Sequence, residues 1–140
     1  MFGDTDLIGI KKCKINNNRI ILPKFTTPSY KDELIFYRRT LNDIRLYKES
    51  IIAEKAKLLF EELRKKLPYK EYIKYMRIFY GKMLSSEHVN KNNSILIPEN
   101  ILSSMNDYIY ILGCSDHIKL FSTEEELKKH QLKKAQIMSF

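Results

Sequence analysis

Arg19 directly follows the triplet Asn16-Asn17-Asn18, and Lys11, Lys12, Lys14 and Lys24 lie within a few residues of it. An arginine carried on a β-ribbon presents a planar fork that bonds bidentately to guanine, whereas lysines beside it hold phosphates as point charges. This grouping points to contact with double-stranded DNA; the competing account is an edge strand whose cations only discourage aggregation. A second basic pair, Arg38-Arg39, is expected just after a strand, either touching phosphate or standing in an exposed loop. Cys114 and His117 have the spacing of two zinc ligands, and Cys13 and His88 sit near duplicated positions. A zinc site needs three or four protein ligands, so all four residues would have to converge. Ordinary thiols and imidazoles are expected instead, with no metal and no cofactor. The histidines and carboxylates form no spaced nucleophile and base pair, and the four glycines make no phosphate-cradling loop. These absences argue against an enzyme and against a small-molecule substrate.

The elements that position Arg19 belong to a duplicated pattern. Residues 14–23 read KINNNRIILP and residues 88–98 read HVNKNNSILIP. At an offset of 74, Leu34 to Tyr37 fall on Tyr108 to Ile111 and Ile44 to Tyr47 fall on Ile118 to Phe121, while Pro23 and Pro98 are 75 apart. An offset held across separate strand candidates indicates two homologous repeats. Each repeat opens with an Asn-rich tip that tolerates left-handed backbone, followed by a β-branched run closed by proline, which is a hairpin signal. Two more short strands and a helix complete each repeat. The first helix carries Ile52, Ala56, Leu59, Phe60, Leu63 and Leu67 at helical spacing and stops at Pro68; the second is expected to start at a Ser122–Glu125 capping box and to end in a basic turn. Between the repeats, Tyr69, Tyr72, Ile73, Met76 and Phe79 share one face of a linker helix. The organisation read from this pattern is a first repeat over 1–68, a linker helix over 69–80 and a second repeat over 81–140.

The 140 residues are 44% hydrophobic and carry a formal charge of +8. Residues 1–79 hold 18 Lys/Arg against 10 Asp/Glu and residues 80–140 hold 7 against 7, so the whole excess lies in the first half. A field concentrated on one repeat suits a polyanion, although a lysine-rich solvated helix accounts for part of it. Two cysteines are too few for a disulfide scaffold, no signal-type segment opens the chain, and no stretch approaches the roughly 18 apolar residues of a membrane span. A cytoplasmic protein without membrane contact is expected.

With these residues in view, the sequence resembles the MraZ family of bacterial transcriptional regulators, within the wider AbrB-like swapped-hairpin group. The repeat signature of that family is an apolar residue, Asp, two variable residues, Gly or Asn, Arg, three mostly apolar residues and Pro. Ile15-Asn16 to Arg19 and Pro23 follow it with one deletion, and Val89-Asn90 to Ser94 and Pro98 follow it at full length. Leu7-Ile8-Gly9, the segment 76–80, Tyr110-Ile111-Leu112-Gly113 and the segment 116–120 match further landmarks. Both signature Asp positions are Asn here and the second signature Arg is Ser94, so only Arg19 occupies the Arg position. The resemblance implies an α+β fold in which two pseudo-symmetric repeats exchange hairpins into a small closed β-barrel with flanking helices. It further implies a nucleoid-associated DNA-binding regulator, expected to repress genes of cell-wall synthesis and division, assembled as a ring-like homo-oligomer. The Asn and Ser departures also suit a protein-interaction module that kept the barrel but not operator reading, and the hairpin group includes antitoxins.

Overall fold

The computed structural model describes residues 7–23, 26, 31–40, 42–114 and 116–138. In chain order these form β1 (Leu7–Lys14), β2 (Arg19–Ile21), β3 (Glu33–Thr40), β4 (Asp43–Lys48), α1 (Glu49–Lys66), α2 (Tyr69–Gly81), β5 (Met83–His88), β6 (Ser94–Leu96), α3 (Glu99–Leu102), β7 (Tyr108–Cys114), β8 (Ile118–Phe121) and α4 (Glu124–Met138). The fold is α+β, with four helices, an antiparallel six-stranded sheet in the order β1-β7-β8-β4-β3-β5, and a β2–β6 ribbon. Exchanging the two repeats reverses that order into itself. The first strand of each repeat pairs with the third strand of the other, β1 with β7 and β5 with β3. The sheet is nevertheless open, with β1 and β5 at its two edges, so the closure into a barrel expected from the sequence is not among the described strand pairings.

Alternation along the strands builds two packed faces. Leu34, Phe36, Ile44, Leu46, Ile109, Ile111, Ile118 and Leu120 form one buried cluster with Ile20 of β2 and Leu22 just after it, Ile95 of β6 and Ile97 just after it, and Ile101 of α3. The opposite face carries Leu112, Cys114, Phe121 and Leu127 in a second, smaller cluster under α4, while α1 lies against β3 and β4. The central strands β4 and β8 are therefore buried on both sides, and their residues Arg45 and Lys119 stay 9% and 4% exposed in spite of their charge. Among the described residues, no helix is long and apolar enough to cross a membrane.

Strand pairing corrects the alignment of the repeats by one residue. Arg38 faces Ile44 and Gly113 faces Ile118, so with Ile44 and Ile118 equivalent, Arg38 corresponds to Gly113 at an offset of 75 rather than 74. The additional residue enters at the second Asn-rich tip and is given back at the β-bulge between Arg38 and Thr40. Leu34 and Phe36 thus match Ile109 and Ile111, all four fully buried, and not Tyr108 and Tyr110. A one-residue slip turns a strand over, so burial decides the register where similar letters do not. The same bulge places Arg38-Arg39 inside β3, correcting the expectation that the pair follows a strand.

Helix ends follow local chemistry with three departures. Helix α1 has Glu49 in its first turn and Arg64, Lys65 and Lys66 in its last, which complements the helix dipole, and it ends before Pro68 as expected. Of its anticipated apolar face, Ile52 and Ala56 are buried while Leu59 is exposed. Helix α4 is capped by Thr123, whose Oγ1 accepts a 3.2 Å bond from the Glu126 backbone N–H, one residue after the expected Ser122. Thr123 and Glu126 have the same capping-box spacing, so the sequence contained two overlapping signals. The helix then runs on to Met138, leaving no basic residue in its last turn.

Candidate nucleic-acid interface

The first Asn-rich tip is a two-residue turn, but not the start of the expected hairpin: beyond an isolated Asn16–Arg19 bridge, β1 pairs with β7 and β2 with β6, and β5 likewise pairs with β3 rather than with β6. Asn17 and Asn18 have φ of 52° and 61°, and Asn16 and Arg19 exchange both backbone hydrogen bonds at 2.9 Å. Two successive left-handed residues give the tight turn whose twist matches a hairpin, and asparagine tolerates that backbone better than most residues. The second tip is built differently. Asn90 Oδ1 accepts the backbone N–H groups of Asn92 at 3.1 Å and Ser94 at 2.9 Å, and Asn93 takes φ of 60°. The Asn90 amide oxygen thus fastens this loop as a carboxylate at the same position would.

Between β1 and the two tips lies an open groove of about 380 Å³. Lys11, Lys12 and Lys14 line its β1 side, Arg19 and Ile21 its ribbon side, and Asn17, Asn90 and Asn92 its ends. All three lysines are exposed. Lys12 Nζ stands 4.3 Å from the centre of the Tyr108 ring and 5.8 Å from that of Tyr110, which holds the ammonium over β7 while leaving it facing water. Cys13, on the same face of β1 as Lys11 and opposite to Lys12 and Lys14, is buried in the core; burial raises its thiol pKa and the Lys11 charge lowers it by a smaller amount.

Arg19 is half-buried and tied to the second repeat. Its Nε donates to Ser94 Oγ at 3.0 Å and its Nη2 to the Ser94 carbonyl at 3.3 Å. Arg19 and Ser94 occupy equivalent places in the two repeats, so the residue at the arginine's position in the second repeat holds the arginine of the first. These two bonds fix the guanidinium plane and use two of its five N–H donors, leaving the outer fork of Nη1 and Nη2 for a further acceptor pair.

Lys11, Lys12, Lys14 and Arg19 all line this groove, Lys12 and Lys14 from the opposite face of β1 to Lys11, and the remaining candidates stand apart from it. Lys24 lies outside the described residues. Arg38 reaches toward the Asn100 carbonyl at 3.4 Å, and Arg39 pairs with Asp43 at 3.4 Å, away from the groove. Cys114 and His117 are joined through backbone, Cys114 N–H donating to the His117 carbonyl at 2.9 Å, while His117 Nδ1 lies 2.6 Å from Asp116 Oδ1. Among the described residues no group of three or more His, Cys, Asp and Glu side chains is placed to hold a metal ion.

Ile21 and the three asparagines were not singled out by sequence as surface-contact residues. Ile21 is 64% exposed in a strand where its neighbour Ile20 is buried, and plain period-two alternation signals that outcome. The polar cluster under the helices gave a subtler signal, a cation between apolar residues at matching places in both repeats, Arg45 and Lys119. Arg45 Nε and Nη2 donate to the two Asp43 oxygens at 3.0 and 3.1 Å and its Nη1 to Tyr47 Oη at 3.0 Å. Burial pushes the Asp43 carboxyl up, but the hydrogen bonds and charge of Arg45 outweigh this and hold it below the usual carboxylate range.

No family model matches this chain, and no curated protein matches it.

Proposed function

We propose that the chain is a DNA-binding transcriptional regulator that presents its first repeat to the duplex. The carrying observation is the groove at the edge of β1 lined by Lys11, Lys12, Lys14 and Arg19 beside two Asn-rich tips. Lysines spaced along β1 suit the phosphate backbone, and the outer fork of Arg19, held in plane by Ser94, suits a guanine edge. Ile21 at the same rim offers an apolar contact for a thymine methyl. The exchange of first strands between repeats and the symmetric strand order favour the swapped-hairpin reading, and with it the MraZ-like family reading. Under this reading the protein acts in the nucleoid as a homo-oligomer whose copies bind repeated sites, because tethering raises effective concentration.

The deciding experiment is an electrophoretic mobility shift with the full chain on DNA from upstream of its own gene and on scrambled DNA of equal length, at two salt concentrations. Preferential retardation of the upstream fragment supports the reading. Equal retardation of both fragments reduces it to nonspecific binding. No retardation at low salt overturns it in favour of a protein-interaction module, a role that the Arg19–Ser94 bonds, which hold the two repeats together, would also serve.

A further inference from the structure

A second cavity, of about 430 Å³, lies on the opposite side of the sheet, where β3 and β4 meet α1 and α2. Three aromatic rings form its apolar wall. Tyr37 contacts Tyr47 edge-on at 6.1 Å between centroids and Phe79 at 5.6 Å. Ile52 and four cations, Arg39, Arg45, Lys55 and Lys82, complete the lining. Asp43 is shared by Arg39 and Arg45, and Asp116 pairs with Lys55 at 2.9 Å, so four cations stand against two carboxylates and leave a formal charge of +2. The ammonium of half-buried Lys82 enters no ion pair among the described residues.

The duplication shows that this cavity is not a by-product of the repeat. Helices α1 and α4 start 75 residues apart, so Ile52 matches Leu127, and the pairings above match Tyr37 with Leu112 and Tyr47 with Phe121. In the second repeat those positions close into the apolar cluster Leu112, Cys114, Phe121 and Leu127. In the first repeat the equivalent space is open. What opens it is specific to that repeat: a tyrosine in place of a leucine, Arg39 at the bulge, and Phe79 and Lys82 supplied by α2 and its C-terminal cap, for which the second repeat has no counterpart among the described residues.

We propose that this cavity binds a nucleoside monophosphate, with its base against Tyr37, Tyr47 and Phe79 and its phosphate held by Lys82 and Arg39. A phosphomonoester carries about −1.5 to −2 charge at neutral pH, which matches the formal charge of the lining. The volume falls within the roughly 300–1,000 Å³ typical of small-ligand sites, and stacking on aromatic faces tolerates any base. The site lies on the helix-covered side of the sheet, away from the groove, so its occupant would serve as an effector.

The test is calorimetric titration of the full chain with AMP, GMP, CMP and UMP separately, alongside adenosine and inorganic phosphate. The expected result is saturable binding of at least one monophosphate, with adenosine and phosphate each at least tenfold weaker. Lys82→Ala and Arg39→Ala should each weaken that binding tenfold or more, and Lys70→Ala, which removes an exposed charge from the same helix, should change it less than twofold. Tyr37→Leu, which installs the second repeat's residue, should weaken monophosphate binding and leave the weak phosphate binding unchanged. Unaltered melting temperatures show that each variant is folded. Absence of binding by all four monophosphates at millimolar concentration overturns the proposal. So does equal binding of phosphate and monophosphate, or binding indifferent to both Lys82→Ala and Arg39→Ala. The titration contains no DNA, so its outcome is independent of the groove on the other side.

Discussion

Arg19 illustrates how one side chain serves both scaffold and surface. Its bonds to Ser94 remove two donors but lower the freedom lost when the remaining fork meets a base, since the guanidinium plane is already set. Arg19→Ala should therefore weaken operator binding by about 1–3 kcal/mol, the usual worth of a base-reading arginine. Competition binding on matched and mismatched operators checks this, and equal affinity of variant and parent would remove Arg19 from the interface. His117 makes a separate expectation about stability. Burial lowers its pKa from the ordinary 6.5, and the hydrogen bond that its ring N–H donates to Asp116 only partly opposes that, so the fold favours the neutral ring. A group whose folded pKa is depressed contributes stability that is present above 6.5 and lost as pH falls through the lower folded value. Asp43 repeats the sign further down, its contribution present above 3.8 and lost below it. Urea unfolding between pH 8 and pH 3 should thus show a decline beginning near neutrality, and His117→Gln should flatten that first decline whatever it does to absolute stability. An undiminished slope in the variant would assign the decline to other groups.

At the scale of elements, the two Asn-rich tips share a blueprint but differ in chemistry, and charge reversal at them separates local contact from long-range field. Lys14 lines the groove, whereas Lys91 stands exposed at the second tip and does not line it. Lys14→Glu should cost far more DNA affinity than Lys91→Glu, although each changes net charge equally. Screening sets in beyond about 8–10 Å, so a field effect alone would treat these two tips nearly alike. Equal losses would sink the first-repeat reading, and a larger loss at Lys91 would turn the second tip toward DNA. Much of this element plan was legible in the sequence. The Asn tips, the prolines after β2 and β6 and the stop at Pro68 each act through local backbone chemistry that letters carry. What letters did not carry was set by tertiary partners. The bulge at Arg38 shifted the repeat alignment, and only the partner strand reveals it. Arg45 and Lys119 alternate like solvent-facing residues, yet helices cover their face, with an aspartate two residues away compensating the arginine. The open sheet likewise depends on which edges meet, a matter of twist and packing that strand signals leave undetermined.

At the scale of the whole molecule, the duplication separates two surfaces on opposite sides of one sheet. The net charge of +8 raises the encounter rate with any polyanion, but equilibrium binding depends on how many cations displace counterions in the final complex. The groove supplies four candidates, Lys11, Lys12, Lys14 and Arg19. With a slope of about −0.9 per neutralised phosphate, a groove-mediated complex should show log K falling by roughly 3 to 4 per protomer engaged for each tenfold rise in salt. If Arg19 spends its fork on a base, the slope moves toward the lower end, and Arg19→Ala should leave it nearly unchanged while Lys14→Ala reduces it by about 1. Fluorescence anisotropy of a labelled operator across a salt series measures both. A slope near zero would remove phosphate contact altogether. A slope approaching twice the expected value at one protomer per site would mean that cations outside the groove, such as Arg64, Lys65 and Lys66 at the end of α1, also meet the DNA, and the helical layer would then have to be counted as part of the interface.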